Sequence, residues 1–183
     1  MLRSRPPFDG PEEGQVRLSA EIRYGADPWA VFRMIVDPAF QEAKCAATGS
    51  LEHEVDVTEH DDGGATVFSR RALPTDQVPD AVRALVGRTV HLAETQRWEA
   101  ADADGTRTGS ILVEIEGLPV RFTAATALAA DADGTQQPIE GELKASVPLF
   151  GGRIEHAAEP AVRAAIRVEQ RTGTAWLAEH AEP

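Results

Sequence analysis

The sequence predicts an α+β fold: a curved antiparallel sheet of seven strands wrapped around one long C-terminal helix, with two short helices after strand 1. Three observations predict it. Apolar residues occupy every second position from Val16 to Tyr24, and again at Leu143, Ala145, Val147 and Leu149, which is strand spacing. After Gly151 and Gly152 the apolar spacing changes to three and four, which is helix spacing. Between these ends, the clusters ADADGTR, GLP and ADADGT separate alternating runs with turn residues, as a meander of hairpins requires.

In chain order, residues 1 to 14 carry three prolines and two glycines without apolar periodicity and read as a flexible arm before one domain over 15 to 183. Val16, Leu18, Ala20, Ile22 and Tyr24 alternate with polar residues and form the first strand, which stops at Gly25. Asp27-Pro28 and Asp37-Pro38 each supply an N-cap followed by a proline suited to the first helical position, so two short helices follow back to back. Leu51 to Val57 and Ala65 to Leu73 form a hairpin about the turn at His60 to Gly64. Residues 74 to 87 contain Pro74 and Pro79, then Val78, Val82, Leu85 and Val86 at helical spacing, and read as a short helix gating an opening. Strands over Thr89 to Trp98, Ser110 to Glu116, Val120 to Ala129 and Ile139 to Leu149 complete the sheet. The last helix, about residues 152 to 180, is on the order of 40 Å long. Its expected apolar stripe is Ile154, Ala158, Ala161, Val162, Ala165, Val168, Thr172 and Trp176, rich in small residues that leave room beneath, and Pro160 predicts a kink.

Composition narrows the partners. Of 183 residues, 30 are Asp or Glu and 18 are Lys or Arg, a formal charge of −12, and the basic residues are scattered, so nucleic acid is not an expected partner. Cys45 stands alone, which excludes an intrachain disulfide and a cysteine metal cluster. No apolar run suits a signal peptide or a membrane span, so stable membrane insertion is not expected and a cytoplasmic location is. His53, His60, His91, His156 and His180 lie too far apart for an HExxH-type metal pair, and neither a nucleophile elbow nor a phosphate loop occurs; no cofactor or metal is predicted. Glu54, Asp56 and Glu59, like Glu114 and Glu116, read as a charged outer face.

Strand parity gives the sharper lead. If Val90, Leu92 and Trp98 face inward, Glu94 and Gln96 must do so too, because side chains alternate strictly. A buried carboxylate needs a partner, for which Arg70 is the candidate, or a wet cavity. A β-bulge would instead return Glu94 to solvent.

The element order resembles the START-like, or SRPBCC, superfamily, whose helix-grip fold encloses an apolar cavity between sheet and last helix. The segments YGADPWAVFRMIVDPAF, RRALPTDQVPDAVRALVG, TQRWE, EGLPVRFTAATAL and VPLFGGRIE are similar to an actinobacterial domain of unknown function, family 2505, for which the resemblance brings no catalytic residues. It implies a binder of a hydrophobic small molecule or lipid, more a container than an enzyme, acting as a monomer or weak homodimer. The expected cavity lining is Phe68, Arg70, Glu94, Gln96, Trp98, Phe122 and Thr126 from the sheet with Ala158, Ala161, Ala165, Thr172 and Trp176 from the helix. Two alternatives stay open: a polyketide cyclase or dehydratase-like enzyme, with Glu94 and Arg70 or Tyr24 as acid and base, and a protein-interaction module similar to Hsp90-activator relatives.

Overall fold

The computed structural model describes residues 15–76 and 80–180. The predicted arm and the positions Val78 and Pro79 of the predicted gate lie outside the described residues. In chain order the elements are β1 (Gln15–Tyr24), α1 (Pro28–Ile35), α2 (Pro38–Ala47), β2 (Glu52–Glu59), β3 (Ala65–Pro74), α3 (Asp80–Val86), β4 (Thr89–Trp98), β5 (Arg107–Ile115), β6 (Val120–Asp131), β7 (Gly134–Ala145) and α4 (Gly151–Glu179). All seven strands form one antiparallel sheet in the order β1-β7-β6-β5-β4-β3-β2.

The Asp–Pro pairs start both short helices as the sequence predicts. The Asp27 carboxylate accepts from Ala30 N at 2.9 Å and the Asp37 carboxylate from Ala39 N at 2.8 Å, satisfying amide groups that a first helical turn leaves unpaired. The expected last strand stops at Ala145, four residues early, and a turn over Ser146 to Phe150 leads into α4. Leu149 takes a positive φ of 66° in that turn and is almost fully exposed, so the alternation through Val147 and Leu149 does not extend the strand.

Register sets the inner face. Ser69 opposes Glu94, Glu94 opposes Val113, Val113 opposes Phe122, Phe122 opposes Leu143 and Leu143 opposes Val16, so these six share one face across the sheet. Leu18, Ile22, Tyr24, Val67, Trp98, Leu128 and Ile139 are buried on that face and meet Val31, Ile35 and Phe40 from the two short helices. Trp98 lies over Gly109, where an added Cβ would come within 2.8 Å of its ring.

Helix α4 runs unbroken through Pro160, which is exposed, and through Gly173, which is buried. It packs mainly against β1, β7 and α2. Its inward stripe, facing the sheet and α2, is Ile154, Glu155, Ala158, Val162, Ile166, Glu169, Gly173 and Trp176, with spacings of one, three and four. Ala161 and Ala165, expected to face the sheet, are exposed on the flank. The difference has a physical reason: two glutamates belong to the inward face. The Glu155 carboxylate accepts from Ala145 N at 2.8 Å, and Glu169 faces Lys44, so the buried stripe is rotated away from the most apolar one.

Candidate functional site

Four ionisable side chains from four elements meet inside the grip. Glu94 on β4 is 8 % exposed. Its Oε1 accepts from Lys44 Nζ on α2 at 3.0 Å and from Gln96 Nε2 at 2.8 Å, and its Oε2 accepts from Arg71 Nη2 on β3. Trp98 Nε1 donates to Gln96 Oε1 at 3.2 Å, extending the chain along one face of β4. Lys44 Nζ also lies 3.7 Å from Glu169 Oε2, tying α2 to α4. The strands hold the Glu94 face by ladder register; Lys44 arrives because Phe40, Gln41, Lys44 and Cys45 are the buried face of α2.

The electrostatics follow from this geometry. Burial by itself would raise the Glu94 carboxyl, but the Lys44 ammonium and the Arg71 guanidinium outweigh it and hold the group far below the ordinary carboxylate range. For Glu169 burial wins over the attraction of Lys44, and repulsion from Glu94 adds to it, so this carboxyl sits above its ordinary value. Burial would lower Lys44, yet Glu169 and Glu94 outweigh that and keep the ammonium charged. Tyr24 is pushed well above the ordinary phenol value by burial, with the nearby Glu169 charge adding to it. Among the described residues the buried Tyr24 Oη, Ser69 Oγ and Arg71 Nε have no hydrogen-bond partner. Tyr24 Oη lies over Gly173, where an added Cβ would stand 3.0 Å from it, one helical turn beyond Glu169.

The sequence-predicted residues separate into those the fold brings together and those it does not. Glu94, Gln96, Trp98, Phe122 and Thr126 are buried on the inner face, and Thr126 Oγ1 donates to Pro138 O. Arg70 is not the partner of Glu94. It is exposed and makes two hydrogen bonds to Glu116, at 2.5 and 2.6 Å, on the outer face, where half-buried Phe68 also points. The register pairs Ser69 with Glu94 and Arg70 with Ala93, so Arg71 shares the Glu94 face and Arg70 cannot. On α4, Ala158, Thr172 and Trp176 are half-buried, Trp176 meeting Phe40 edge-on with ring centroids 5.8 Å apart. Lys44, Arg71 and Glu169 were not among the predicted residues. Arg71 was within reach of the parity count, and Lys44 sits four residues after Phe40, a charged residue inside an apolar helical stripe.

One stretch of the inner face is incompletely covered. Leu92 and Ile115 oppose each other on β4 and β5, Val113 opposes Glu94, and all three are half-buried, as are Ala158, Val162 and Ile166 on the inward stripe of α4. Helix α4 leans on β1, β7 and α2 and not chiefly on β4 or β5, which carry the half-buried Leu92, Val113 and Ile115 beside the Glu94 cluster. A separate groove of about 850 Å³ lies on the other side of the sheet, bordered by the outward residues Arg17, Ser19, Thr95, Arg97, Ser110 and Glu140. Among the described residues no group of three or more His, Cys, Asp or Glu side chains is placed to hold a metal ion, and no helix is long and apolar enough to cross a membrane.

A bent antiparallel sheet closed over a long C-terminal helix, with polar groups converging between them, is the helix-grip arrangement of START-like proteins. With that fold, the chain belongs to the family described as protein of unknown function DUF2505, which matches residues 19–177. The uncharacterized protein Rv0481c of Mycobacterium tuberculosis is 23 % identical over 154 residues, covering 78 % of this chain and 88 % of the relative. Among solved structures, TTHA0849 from Thermus thermophilus superimposes with a TM-score of 0.59 at 16 % identity, covering 92 % of this chain and 99 % of that one. The ZhuI aromatase/cyclase from Streptomyces sp. R1128 superimposes with a TM-score of 0.54 at 13 % identity, over 92 % and 95 % of the two chains. At these identities the structural likeness establishes the fold alone.

Proposed function

We propose that this protein binds a hydrophobic small molecule or lipid in the gap between β4, β5 and α4. One observation carries the reading: apolar side chains on the inner face of β4 and β5, Leu92, Val113 and Ile115, and on α4, Ala158, Val162 and Ile166, stay half-buried, while α4 packs chiefly on β1, β7 and α2. Fully burying an exposed Val, Leu or Ile is favourable by roughly 1.5 to 3 kcal/mol, so a ligand covering these half-buried side chains gains the part of that which the fold leaves unclaimed. Apolar walls with a few convergent polar groups are the usual composition of a small-molecule site.

Nile red, a neutral apolar dye whose emission rises out of water, tests the proposal. Saturable binding of one dye per chain supports it, and Ala158→Trp, which fills the gap from the helix side, should abolish that binding while the protein stays folded. Equal binding by wild type and Ala158→Trp would place the dye elsewhere and defeat the reading.

A second reading, an enzyme of the cyclase or dehydratase type, is favoured by the cluster of buried ionisable groups and by the likeness in fold to ZhuI. The geometry favours Glu169 over Glu94 as the proton carrier and leaves Arg70 outside the site. Glu94 accepts three hydrogen bonds and is held deprotonated, so it is a poor proton carrier near neutrality, whereas Glu169, held above the ordinary range and beside Tyr24, is the better one. Turnover of a bound polyketone that is lost in Glu169→Gln with binding retained would favour the enzyme; retained turnover would remove Glu169 from the reaction.

A further inference from the structure

We infer that the ligand's polar end is a hydrogen-bond donor, a hydroxyl or an amine, and not a carboxylate. The inference rests on the binding reading above and adds the chemistry of the end that meets the cluster. Both cations of the cluster already face carboxylates, Arg71 through Nη2 to Glu94 with its fully buried Nε unpaired among the described residues, and Lys44 to Glu94 at 3.0 Å and opposite Glu169 at 3.7 Å. They are also the hidden members. The Lys44 and Arg71 side chains are 3 % and 6 % exposed, whereas those of Glu94 and Glu169 are 11 % and 15 %. The less hidden members of the cluster are therefore its two carboxylates, whose oxygens are acceptors.

A second observation points the same way. Tyr24, 3 % exposed, carries a hydroxyl without a partner among the described residues, and it sits beside Glu169 over Gly173, able to accept from a ligand donor while donating toward the carboxylate. A fatty-acid headgroup would set a third carboxylate against two, and like-charge contacts of this kind are strongly unfavourable. The formal charge of −12 adds a long-range bias in favour of cations. An alcohol or an ammonium meets neither obstacle.

The test uses the full chain loaded with Nile red and displaced by decan-1-ol, decylammonium or decanoate, each below its micellar concentration at pH 7.5. Decanol and decylammonium should displace the dye at concentrations roughly tenfold lower than decanoate. Glu169→Gln should weaken decylammonium, strengthen decanoate and leave decanol nearly unchanged; Tyr24→Phe, which keeps the ring, should weaken decanol severalfold and serves if the first variant does not fold. Decanoate displacing as well as the other two, or displacing concentrations of all three unchanged in both variants, overturns the inference while leaving the binding reading intact. Absence of dye binding to the wild type overturns the binding reading and this inference with it.

Discussion

Replacing Glu94 by glutamine keeps the volume of the side chain and removes its charge from between Lys44 and Arg71. The structure sets the scale of the loss. Glu94 accepts three hydrogen bonds, two of them from buried cations, and its side chain is 11 % exposed, so solvent screening of the pair is small. Removing one partner from such a buried pair costs about 3 to 5 kcal/mol, because the remaining cations stay buried without compensation. For a chain of this size that is a fall in Tm of roughly 6 to 20 °C. The double variant Glu94→Gln, Lys44→Met should recover part of this, since it removes one of the stranded charges, and the recovery measures the coupling. The pH dependence supplies a signed check. The Glu94 carboxyl is depressed in the folded state, so its stabilisation is present above pH 4.5 and is lost as pH falls below it. Glu169 is raised, so its contribution is fully present below pH 4.5 and is lost as pH climbs through its folded value. Stability should therefore pass through a maximum in mild acid, with Glu94→Gln removing the fall on the acid side and Glu169→Gln the fall toward neutrality. Urea unfolding across pH 3 to 8 reads both. A Tm for Glu94→Gln within about 2 °C of wild type would refute the assignment of a buried, compensated cluster.

Further outcomes follow from the same geometry. Arg70→Ala breaks an exposed pair with Glu116 and should change stability by no more than about 1 kcal/mol, whereas Arg71→Met leaves Glu94 short of a donor and should cost several times more in the same thermal melt. Gly173→Ala drives a methyl to 2.7 Å from the buried Tyr24 ring and should destabilise by roughly 1 to 3 kcal/mol, while Gly152→Ala, with nothing within 4 Å, should be neutral or gain up to about 1 kcal/mol in helix propensity. Ala161→Leu and Ala165→Leu add methylenes to an exposed flank, so both the melt and Nile red binding should stay within about 0.5 kcal/mol of wild type; a loss of dye binding would show that this flank does border the gap.

Much of the fold was legible because strand and helix periods differ and the turn residues are unambiguous: all seven strands, both Asp–Pro helices and the final helix occur in the predicted order, with the last strand displaced to Gly134–Ala145. The inward direction of Glu94 and Gln96 was legible too, since parity follows from anchoring one strand by Leu92 and Trp98. The partner was harder. Arg70 and Arg71 are neighbours in sequence on opposite faces, and only the register between β3 and β4 decides which one meets Glu94. The phase of α4 was misread for the opposite reason. Hydropathy moves glutamates outward and alanines inward, whereas Lys44 draws Glu169 in and Ala145 N binds Glu155, so tertiary electrostatics overrode the apolar pattern. Lys44 lay on a short helix whose other buried residues are Phe40, Gln41 and Cys45, and nothing local in the sequence pairs it with a strand fifty residues away.

The most direct test of the central claim locates the ligand. Amide chemical shifts of the isotopically labelled chain, followed by NMR as Nile red is added, distinguish the two faces of one sheet. Saturable shifts should concentrate at Leu92, Val113, Ile115, Val162 and Ile166, the half-buried apolar residues of β4, β5 and α4. Shifts confined to the outer groove at Arg17, Ser110 and Glu140, or no saturable shifts, would contradict that claim.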